Sequence, residues 1–228
     1  MTERTDILLS ETRGHLRILT INRPDRMNSL SPEMSAALVE AFVEAGSDPD
    51  IRCIILTAVG ERAFCAGADL KAAPHYTAAD WAEIGVLADR VFATLALLPV
   101  PTVAAINGHA IGGGLVLALA CDLRLGTTAP ARFGLPEVAR DIAFPKVALA
   151  LVQENLTAAV LRDLALSARL VGNAEAVQLG LIDRTVPGPE LLTRARDLAA
   201  ERAALRGYAT VKAQVLQGLR ARIRGKTP

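Results

Sequence analysis

Short apolar runs alternate with longer amphipathic stretches over the first two thirds of the chain. Each apolar run is bounded by turn-forming residues, which is typical of buried strands. The predicted strands are residues 15–22, 51–57, 102–106 and 122–125. The predicted helices are residues 32–46, residues 78–98 and a third helix that begins at Gly112. Because strands and helices alternate, we predict a parallel sheet with crossover helices.

The start of the helix at residues 32–46 has a clear signal. Ser31 is suited to cap the helix, and Pro32 fits its first position because proline has no N–H to leave unsatisfied. Met34, Leu38 and Phe42 recur at helical spacing and predict one buried face.

The last third of the chain has an almost wholly helical pattern from Pro145 onward. Asn173 is predicted to cap a helix that ends at Gly180, and one more strand follows at residues 181–186. Two helices complete the chain, at residues 188–205 and 208–223. The 228 residues fit one domain. We divide this single α/β unit into a core, residues 1–186, and a helical tail, residues 187–228.

Charge and cysteine content narrow the class of protein. The 25 basic and 24 acidic side chains leave a net charge of +1, so no broad basic field exists to attract nucleic acid or an anionic membrane. Any anionic ligand must therefore be held by a local site. The three cysteines have no paired spacing, which argues against a disulfide framework or a zinc site and fits a reducing compartment.

Neither the N-terminus nor the most apolar stretch predicts secretion or a membrane span. The first six residues are mostly polar and lack the apolar segment of a signal peptide. The stretch at residues 91–121 is interrupted by prolines and glycines, so we interpret it as buried core. We expect a cytoplasmic protein.

Two loops follow buried strands and consist mainly of small residues. The first loop is residues 63–70, and the second loop is residues 107–114, which opens a helix at its glycine triplet. Small residues let a ligand approach the backbone, and two N–H groups that converge on one oxygen form an oxyanion hole. Tight helix packing explains the glycines equally well. The second loop does not match the glycine pattern of a dinucleotide or phosphate loop.

At these loops the sequence resembles the enoyl-CoA hydratase/isomerase, or crotonase, superfamily. The resemblance extends over roughly residues 7 to 213 and keeps the order and near-family spacing of several motifs. The motifs are NRP at 22–24, NSL at 28–30, AFCAGADL at 63–70, PTVAAINGHAIGGG at 101–114, CD at 121–122, FGLPE at 133–137 and AEAVQLGLIDRTV at 174–186. The resemblance implies a crotonase-like ββα superhelix with a C-terminal helical region.

The resemblance also implies a ligand and a binding site. The ligand is an acyl-CoA thioester, with coenzyme A as part of the substrate and no other cofactor or metal. The N–H groups of Ala68 and Gly113 would hold the thioester oxygen. Coenzyme A would lie along the residues around the first loop, which are Arg26, Met27, Ala66, Ala68, Asp69, Leu70, Lys71 and Gly113. Lys71 stands where the family often has a basic residue near the phosphates, although an ordinary solvated lysine is an equally good interpretation.

The acid–base residues depart from the family pattern. Hydratases of the family use two glutamates. In this sequence the first position falls on Val116, which cannot transfer a proton, and the second falls on Glu137. Water addition benefits from two carboxylates, whereas a single one can take a proton from one carbon and return it to another. Glu137 stands beside apolar residues, so we expect its carboxyl to have a raised pKa, which suits proton transfer. The alternative interpretation is that Glu137 is a surface glutamate after a proline turn.

Several other residues are candidates for the missing acid or for a nucleophile. The candidate acids are Asp69, Glu83, Asp89 and Asp141. Asp69 is usually structural in the family, and sequence assigns none of the other three. We interpret His109 as mostly structural, because it precedes the glycine triplet, where the backbone matters most. No Ser–His–Asp or Cys–His arrangement is evident, so we interpret Cys65 as a small loop residue.

These observations favour an enzyme of fatty acid metabolism that stabilises a thioester enolate. Double-bond isomerisation by Glu137 is slightly favoured. The alternatives are an enoyl-CoA hydratase and a catalytically weak or inactive acyl-CoA-binding protein. The resemblance implies a homo-oligomer, a trimer or hexamer. The family usually carries more helix after the segment that matches Val211 and Lys212, so we expect a shortened tail.

Overall fold

The computed structural model describes residues 7–70 and 76–225, and its centre is a six-stranded sheet. In their order across the sheet, its strands are β1 (Leu8–Arg13), β2 (Leu16–Ile21), β3 (Cys53–Ala58), β5 (Thr102–Ile106), β7 (Leu123–Thr127) and β9 (Arg184–Val186). The hairpin of β1 and β2 is antiparallel, and every other pair in this sheet is parallel. The parallel sheet is therefore confirmed, with one antiparallel edge strand, β1, that the pattern did not predict.

A second, three-stranded parallel sheet has two of its strands within segments that we predicted as loops. Its strands are β4 (Ala63–Cys65), β6 (His109–Ile111) and β8 (Phe133–Gly134), in that order. They have two or three residues each, too few to display an alternating pattern. The prediction of continuous loops at residues 63–70 and 107–114 was wrong to this extent.

Helices follow the short strands and complete repeated strand–strand–helix units. The helices of the first two thirds are α1 (Pro32–Ser47), α2 (Ala78–Ala96) and α3 (Gly113–Leu119). The order β3-β4-α2 is repeated as β5-β6-α3, and β7-β8 leads to a further helix, α4 (Lys146–Asn155). The chain therefore winds as the expected ββα superhelix.

The start of α1 agrees with its predicted signal. The Ser31 side chain accepts a hydrogen bond from the Met34 N–H at 3.2 Å, and Pro32 is the first helical residue. Met34, Leu38 and Phe42 are fully buried. The predicted cap and buried face are confirmed.

The C-terminal third is largely helical, as predicted, and its details depart from the prediction at several points. The helices are α5 (Ala158–Ser167), α6 (Asn173–Gln178), α7 (Leu191–Ala203), α8 (Tyr208–Val215) and α9 (Gln217–Ile223). Gly172, not Asn173, occupies the cap of α6, because the Asn173 side-chain amide donates to the carbonyl oxygens of Thr127 and Ala129. The single helix predicted at residues 208–223 is divided at Leu216 into α8 and α9.

Apolar side chains cover both faces of the large sheet. One face belongs to the main core, where Phe42, Phe64, Phe92 and Phe133 are buried. The other face packs against α7, whose Leu198 joins a smaller cluster. Within residues 7–70 and 76–225, no helix is both long enough and apolar enough to cross a bilayer.

Candidate active site

The pairing of the short strands brings the two predicted site loops together. Because β4 and β6 are parallel neighbours, the residues that follow each strand emerge at the same edge of the small sheet. Gly67, in the first loop, has a φ of +81°. A Cβ atom added at Gly67 would lie 3.0 Å from the Ile111 carbonyl oxygen and 3.1 Å from the Gly113 nitrogen. The loops that carry Ala68 and Gly113 therefore contact each other at Gly67, where the first loop has no side chain.

The neighbouring backbone fixes the direction of the Ala68 N–H. The Leu30 N–H donates to the Gly67 carbonyl oxygen at 2.8 Å, and the Asp69 N–H donates to the Leu30 carbonyl oxygen at 3.1 Å. In a trans peptide the C=O and N–H groups point in opposite directions. Since the Gly67 carbonyl points toward Leu30, the Ala68 N–H points away from it. Among the described residues this N–H has no hydrogen-bond acceptor.

The Gly113 N–H is directed by the same geometry at the start of α3. The Gly112 carbonyl oxygen accepts hydrogen bonds from the N–H groups of Leu115 at 2.9 Å and Val116 at 3.1 Å. That carbonyl points into the helix, so the N–H of the same peptide, at Gly113, points out of it. It too has no acceptor in the part of the chain that the structure describes.

Glu137 lies beside the second of these N–H groups. It begins a 3-10 turn, Glu137–Arg140, that follows β8, the strand paired with β6. A Cβ atom added at Gly112 would lie 3.1 Å from Glu137 Oε1, so the carboxyl group approaches the glycine triplet closely. Glu137 Oε2 is buried and has no hydrogen-bond partner among residues 7–70 and 76–225.

The surroundings of Glu137 change its acidity. Burial raises the pKa of the Glu137 carboxyl from 4.5 to about 7, because the charged form loses hydration, and its own backbone N–H opposes the change only in part. The carboxyl is therefore present in both protonation states near neutral pH. A group with this property, with one unpaired oxygen, is suited to take up and return a proton.

The position that we aligned with the first family glutamate has no acid–base function. Val116 lies one helical turn after Gly112 and is fully buried in the main core. The Val116 side chain packs among apolar residues of that core. Glu137 consequently has no carboxylate partner from this position.

The four other candidate acids have different surroundings. Asp89 accepts hydrogen bonds from the N–H groups of Val147 at 2.8 Å and Ala148 at 3.3 Å, which engages it at the start of α4. Glu83 and Asp141 are exposed. Asp69 is buried in an ion pair with an arginine. No hydrogen bond or ion pair of the described residues links any of them to Glu137.

The predicted coenzyme A residues cluster beside the first loop. The Ala66 N–H donates to the Met27 carbonyl oxygen at 3.1 Å, and Arg26 Nη1 lies 4.0 Å from Asp69 Oδ1. The side chains of Arg26 and Leu70 are partly exposed to solvent. Lys71, the remaining predicted residue, lies outside the described residues.

His109 and Cys65 are engaged in the fold. His109 Nδ1 accepts the backbone N–H of Arg132 at 3.1 Å, and burial together with the nearby charges of Arg62 and Arg132 lowers its pKa. Cys65 is fully buried in β4, where burial raises the pKa of its thiol to about 12. Both residues fit the structural interpretation that the sequence favoured.

Sequence reasoning assigned no role to Arg23 or Asn28. Arg23 Nη2 donates to Asp69 Oδ2 at 2.8 Å and Arg23 Nη1 donates to the Ser29 carbonyl oxygen at 2.6 Å. The Asn28 side chain donates to the carbonyl oxygens of Val59 and Ala63. Both belong to the NRP and NSL motifs, which were the available signal.

Comparison with known proteins supports a common origin for this architecture. The sequence model of the enoyl-CoA hydratase/isomerase family matches residues 11–225. The chain is 37% identical over 212 residues to an (E)-benzylidenesuccinyl-CoA hydratase from Thauera aromatica, covering 90% of this chain and 81% of that protein.

Two solved structures are similar over most of the chain. An enoyl-CoA hydratase from Bacillus anthracis superposes with a TM-score of 0.89 at 28% identity, covering 94% of this chain and 84% of the other. A monofunctional enoyl CoA isomerase from M. smegmatis superposes with a TM-score of 0.79 at 31% identity, covering 95% of each chain.

The stacked ββα units and the shared edge of the small sheet define a protein of the crotonase fold. Within that class, the chain belongs to the enoyl-CoA hydratase/isomerase family, a family of enzymes.

Proposed function

We propose that this protein binds an acyl-CoA thioester and stabilises its enolate with the N–H groups of Ala68 and Gly113. The observation that carries the proposal is the position of Glu137, whose buried carboxyl lies against Gly112 with one oxygen unpaired. Family membership supports the thioester, and the two free N–H groups beside the carboxyl supply a place for its oxygen.

The proposed reaction is migration of a double bond in a 3-enoyl thioester. The Glu137 carboxylate removes a proton from C2, and the electron pair moves onto the thioester oxygen, where two N–H groups stabilise the negative charge. The protonated Glu137 then returns the proton to C4, and the double bond shifts from C3–C4 to C2–C3. One group serves as base and then as acid, which its pKa of about 7 suits.

Hydration of a 2-enoyl thioester is the second candidate. The relative from Thauera aromatica is named as a hydratase, which favours it. Hydration requires both activation of water and delivery of a proton to C2. Glu137 would have to perform both steps in turn, because Val116 supplies neither.

The coenzyme A portion is proposed to follow the first loop. Arg26, Met27, Ala66, Asp69 and Leu70 lie near one another there, and the Arg26 side chain is 42% exposed to solvent. We retain Lys71 as a proposed phosphate contact. The reaction as proposed requires no metal or additional cofactor.

A panel of thioesters tests the proposal. The protein and the variant Glu137→Gln are incubated with matched 2-enoyl-CoA and 3-enoyl-CoA substrates, and the products are separated by chromatography. We expect conversion of 3-enoyl to 2-enoyl thioester to exceed hydration, and both to be lost in the variant. Water addition that survives Glu137→Gln would contradict the assignment of Glu137, and binding without turnover would favour an acyl-CoA-binding protein.

Assembly into a trimer or hexamer is also a proposal. It is supported by family membership and by the exposed apolar side chains of Val211 and Val215 on α8. Sedimentation velocity provides the test: a mass three or six times that of the chain is expected, and a monomer at micromolar concentration would contradict the proposal.

A further inference from the structure

The segment that faces the first loop determines where the Ala68 N–H points. Residues 27–30 run alongside residues 66–69, and Leu30 forms an isolated parallel bridge with Ala68. The Leu30 N–H fixes the Gly67 carbonyl, and hence the peptide that carries the Ala68 N–H. Any shift of residues 27–30 relative to the first loop would therefore rotate this N–H away from its direction.

An arginine connects the two sides of this arrangement. Through its two terminal nitrogens, Arg23 donates to Asp69 Oδ2 on the first loop and to the Ser29 carbonyl oxygen on the opposing segment. Asp69 and Ser29 directly follow and precede the bridged residues Ala68 and Leu30. The planar guanidinium therefore holds the two segments of backbone at a fixed separation from two of its nitrogens, a rigid geometry that the single nitrogen on the flexible side chain of a lysine does not reproduce.

The Arg23–Asp69 pair is largely buried. The Asp69 side chain is 6% exposed and that of Arg23 is 17% exposed, so the pair is largely withdrawn from water and from screening by salt. The Asn28 side chain also fixes the segment of residues 27–30. Its Oδ1 accepts a hydrogen bond from the Arg23 backbone N–H at 2.9 Å, and its Nδ2 donates one to the Ala63 carbonyl oxygen at 2.7 Å.

We propose that the Arg23–Asp69 pair is a positioning device for the oxyanion hole, acting on the thioester through the orientation of the Ala68 N–H. The inference rests on the proposed function, because it presumes that the Ala68 N–H receives the thioester oxygen. Neither side chain has to touch the reacting atoms. Disturbing the pair should weaken polarisation of the carbonyl more than it weakens binding of the remainder of the ligand.

The chain offers a matched control pair. Arg124 donates through Nη2 to Asp183 Oδ1 at 2.9 Å and through Nη1 to the Cys121 carbonyl oxygen at 3.1 Å, the same pattern of one carboxylate and one carbonyl. Arg124 lies near the start of β7, whereas the site loops follow the carboxyl ends of the strands. Its loss should cost stability without reaching Ala68.

The experiment compares Arg23→Lys and Asp69→Asn with Arg124→Lys and Asp183→Asn. Butyryl-CoA labelled with ¹³C at the thioester carbonyl is bound to each protein, and infrared difference spectroscopy records the carbonyl stretching frequency. This saturated ligand reports polarisation without turnover. Steady-state kinetics with the best enoyl-CoA substrate and thermal melting are measured on the same samples.

The wild-type protein should lower the carbonyl frequency, and Arg23→Lys and Asp69→Asn should lose at least about half of that shift. Their kcat should fall about 10- to 100-fold, because a displacement of about 1 Å in a site can cost on the order of 100-fold. KM should change less than kcat. The control variants should melt earlier than wild type while retaining the full shift and kcat.

Each contrary result has a distinct meaning. A wild-type-like shift and kcat in folded Arg23→Lys and Asp69→Asn would overturn the positioning role and leave the proposed function intact. An equal loss of carbonyl shift and kcat in the control variants would also overturn the positioning role, because it would assign the effect to general destabilisation. An unshifted carbonyl on the wild-type protein would overturn both this inference and the oxyanion hole. Should one variant fail to fold, the other decides, because each breaks the same contact from a different side.

Discussion

Glu137 differs from an ordinary exposed glutamate in two properties. Its carboxyl lies against the glycine triplet of the second loop with Oε2 unpaired, and burial raises its pKa to about 7. Val116 on α3, at the position that by resemblance matches the first family glutamate, is apolar and fully buried. At the scale of the residue, the proposed chemistry therefore depends on one ionisation.

The pH dependence of the reaction should show this single ionisation. Glu137 must be deprotonated to accept the C2 proton, so kcat/KM should rise as the pH increases through about 7 and then level off. The profile is measured over pH 5 to 9 with a 3-enoyl-CoA substrate. A bell-shaped profile would instead indicate a second acid–base group.

Replacing Glu137 should separate activity from stability. Glu137→Gln removes the proton carrier, and kcat should fall by about 100- to 10,000-fold. The raised pKa means that the folded state binds a proton more tightly than the unfolded state. Stability from this group is therefore present below pH 4.5 and is lost as the pH rises to about 7. Glu137→Gln lacks this loss and should melt at a higher temperature than wild type at pH 8.

The melting temperature of Glu137→Gln at pH 8 is compared with that at pH 4.5, each against wild type. The advantage of the variant should be present at pH 8 and small at pH 4.5. A variant that melts earlier at pH 8 would show that the carboxylate is well solvated, contrary to the structure.

Much of the candidate site could be predicted from short sequence motifs that single out individual residues. The resemblance placed Ala68, Gly113 and Glu137 in one site, and the structure brings their segments together at the edge of the small sheet. The role of Arg23 could not be read from the chain, because its partner Asp69 is 46 residues away and its second acceptor is a backbone carbonyl. An ion pair of this type is a property of tertiary structure.

At the scale of the element, the close approach of the first and second loops depends on a missing side chain. Gly67 has a φ of +81°, a conformation that L residues rarely adopt, and its Cα faces the Gly113 nitrogen. The long strands and helices were predictable from their periodicity. The short strands β4, β6 and β8, which align the loops, were not, because pairing with one another defines them rather than a local pattern.

A side chain at Gly67 should push the two loops apart and so separate the N–H groups of Ala68 and Gly113. Gly67→Ala forces the left-handed conformation on an L residue, at a cost of about 1 to 2 kcal/mol, and places a methyl 3.1 Å from the Gly113 nitrogen. The loss of one aligned donor should lower kcat by about 100-fold or more. Chemical denaturation and steady-state kinetics measure the two effects.

Gly218→Ala is the matched control for this substitution. Gly218 lies in α9 with open space around its Cβ position, so alanine should stabilise the helix slightly, by about 0.5 to 1 kcal/mol, without changing kcat. Unchanged kinetics in folded Gly67→Ala would show that the spacing of the loops is unimportant for catalysis.

At the scale of the whole molecule, a buried ion pair attaches the helical tail to the core. Lys212 Nζ on α8 donates to Asp122 Oδ2 at 2.7 Å and lies 3.3 Å from the Val100 carbonyl oxygen. Asp122 also accepts hydrogen bonds from the backbone N–H and the hydroxyl of Thr102. One carboxylate thus joins α8 to the starts of β5 and β7.

Removing only the lysine of this ion pair should destabilise the protein more than removing both charges. Lys212→Met leaves the Asp122 charge without its cation and should reduce the free energy of unfolding by about 3 kcal/mol or more. Lys212→Met combined with Asp122→Asn removes both charges and should recover part of that loss. Urea denaturation measures all three proteins, and a double variant no more stable than Lys212→Met would contradict the importance of the unpaired charge.

In the proposed reaction, the Glu137 carboxylate alone carries the proton between two carbons of a thioester held by two N–H groups. The most direct measurement follows a 3-enoyl-CoA substrate labelled with deuterium at C2 through a single turnover in ordinary water, with the label located by mass spectrometry. One of the two C2 deuterium atoms stays on C2; if Glu137 alone carries the other, a substantial part of that abstracted deuterium should appear at C4 of the 2-enoyl product. Complete loss of the abstracted deuterium to solvent, with a 3-hydroxyacyl thioester as the product, would contradict this account.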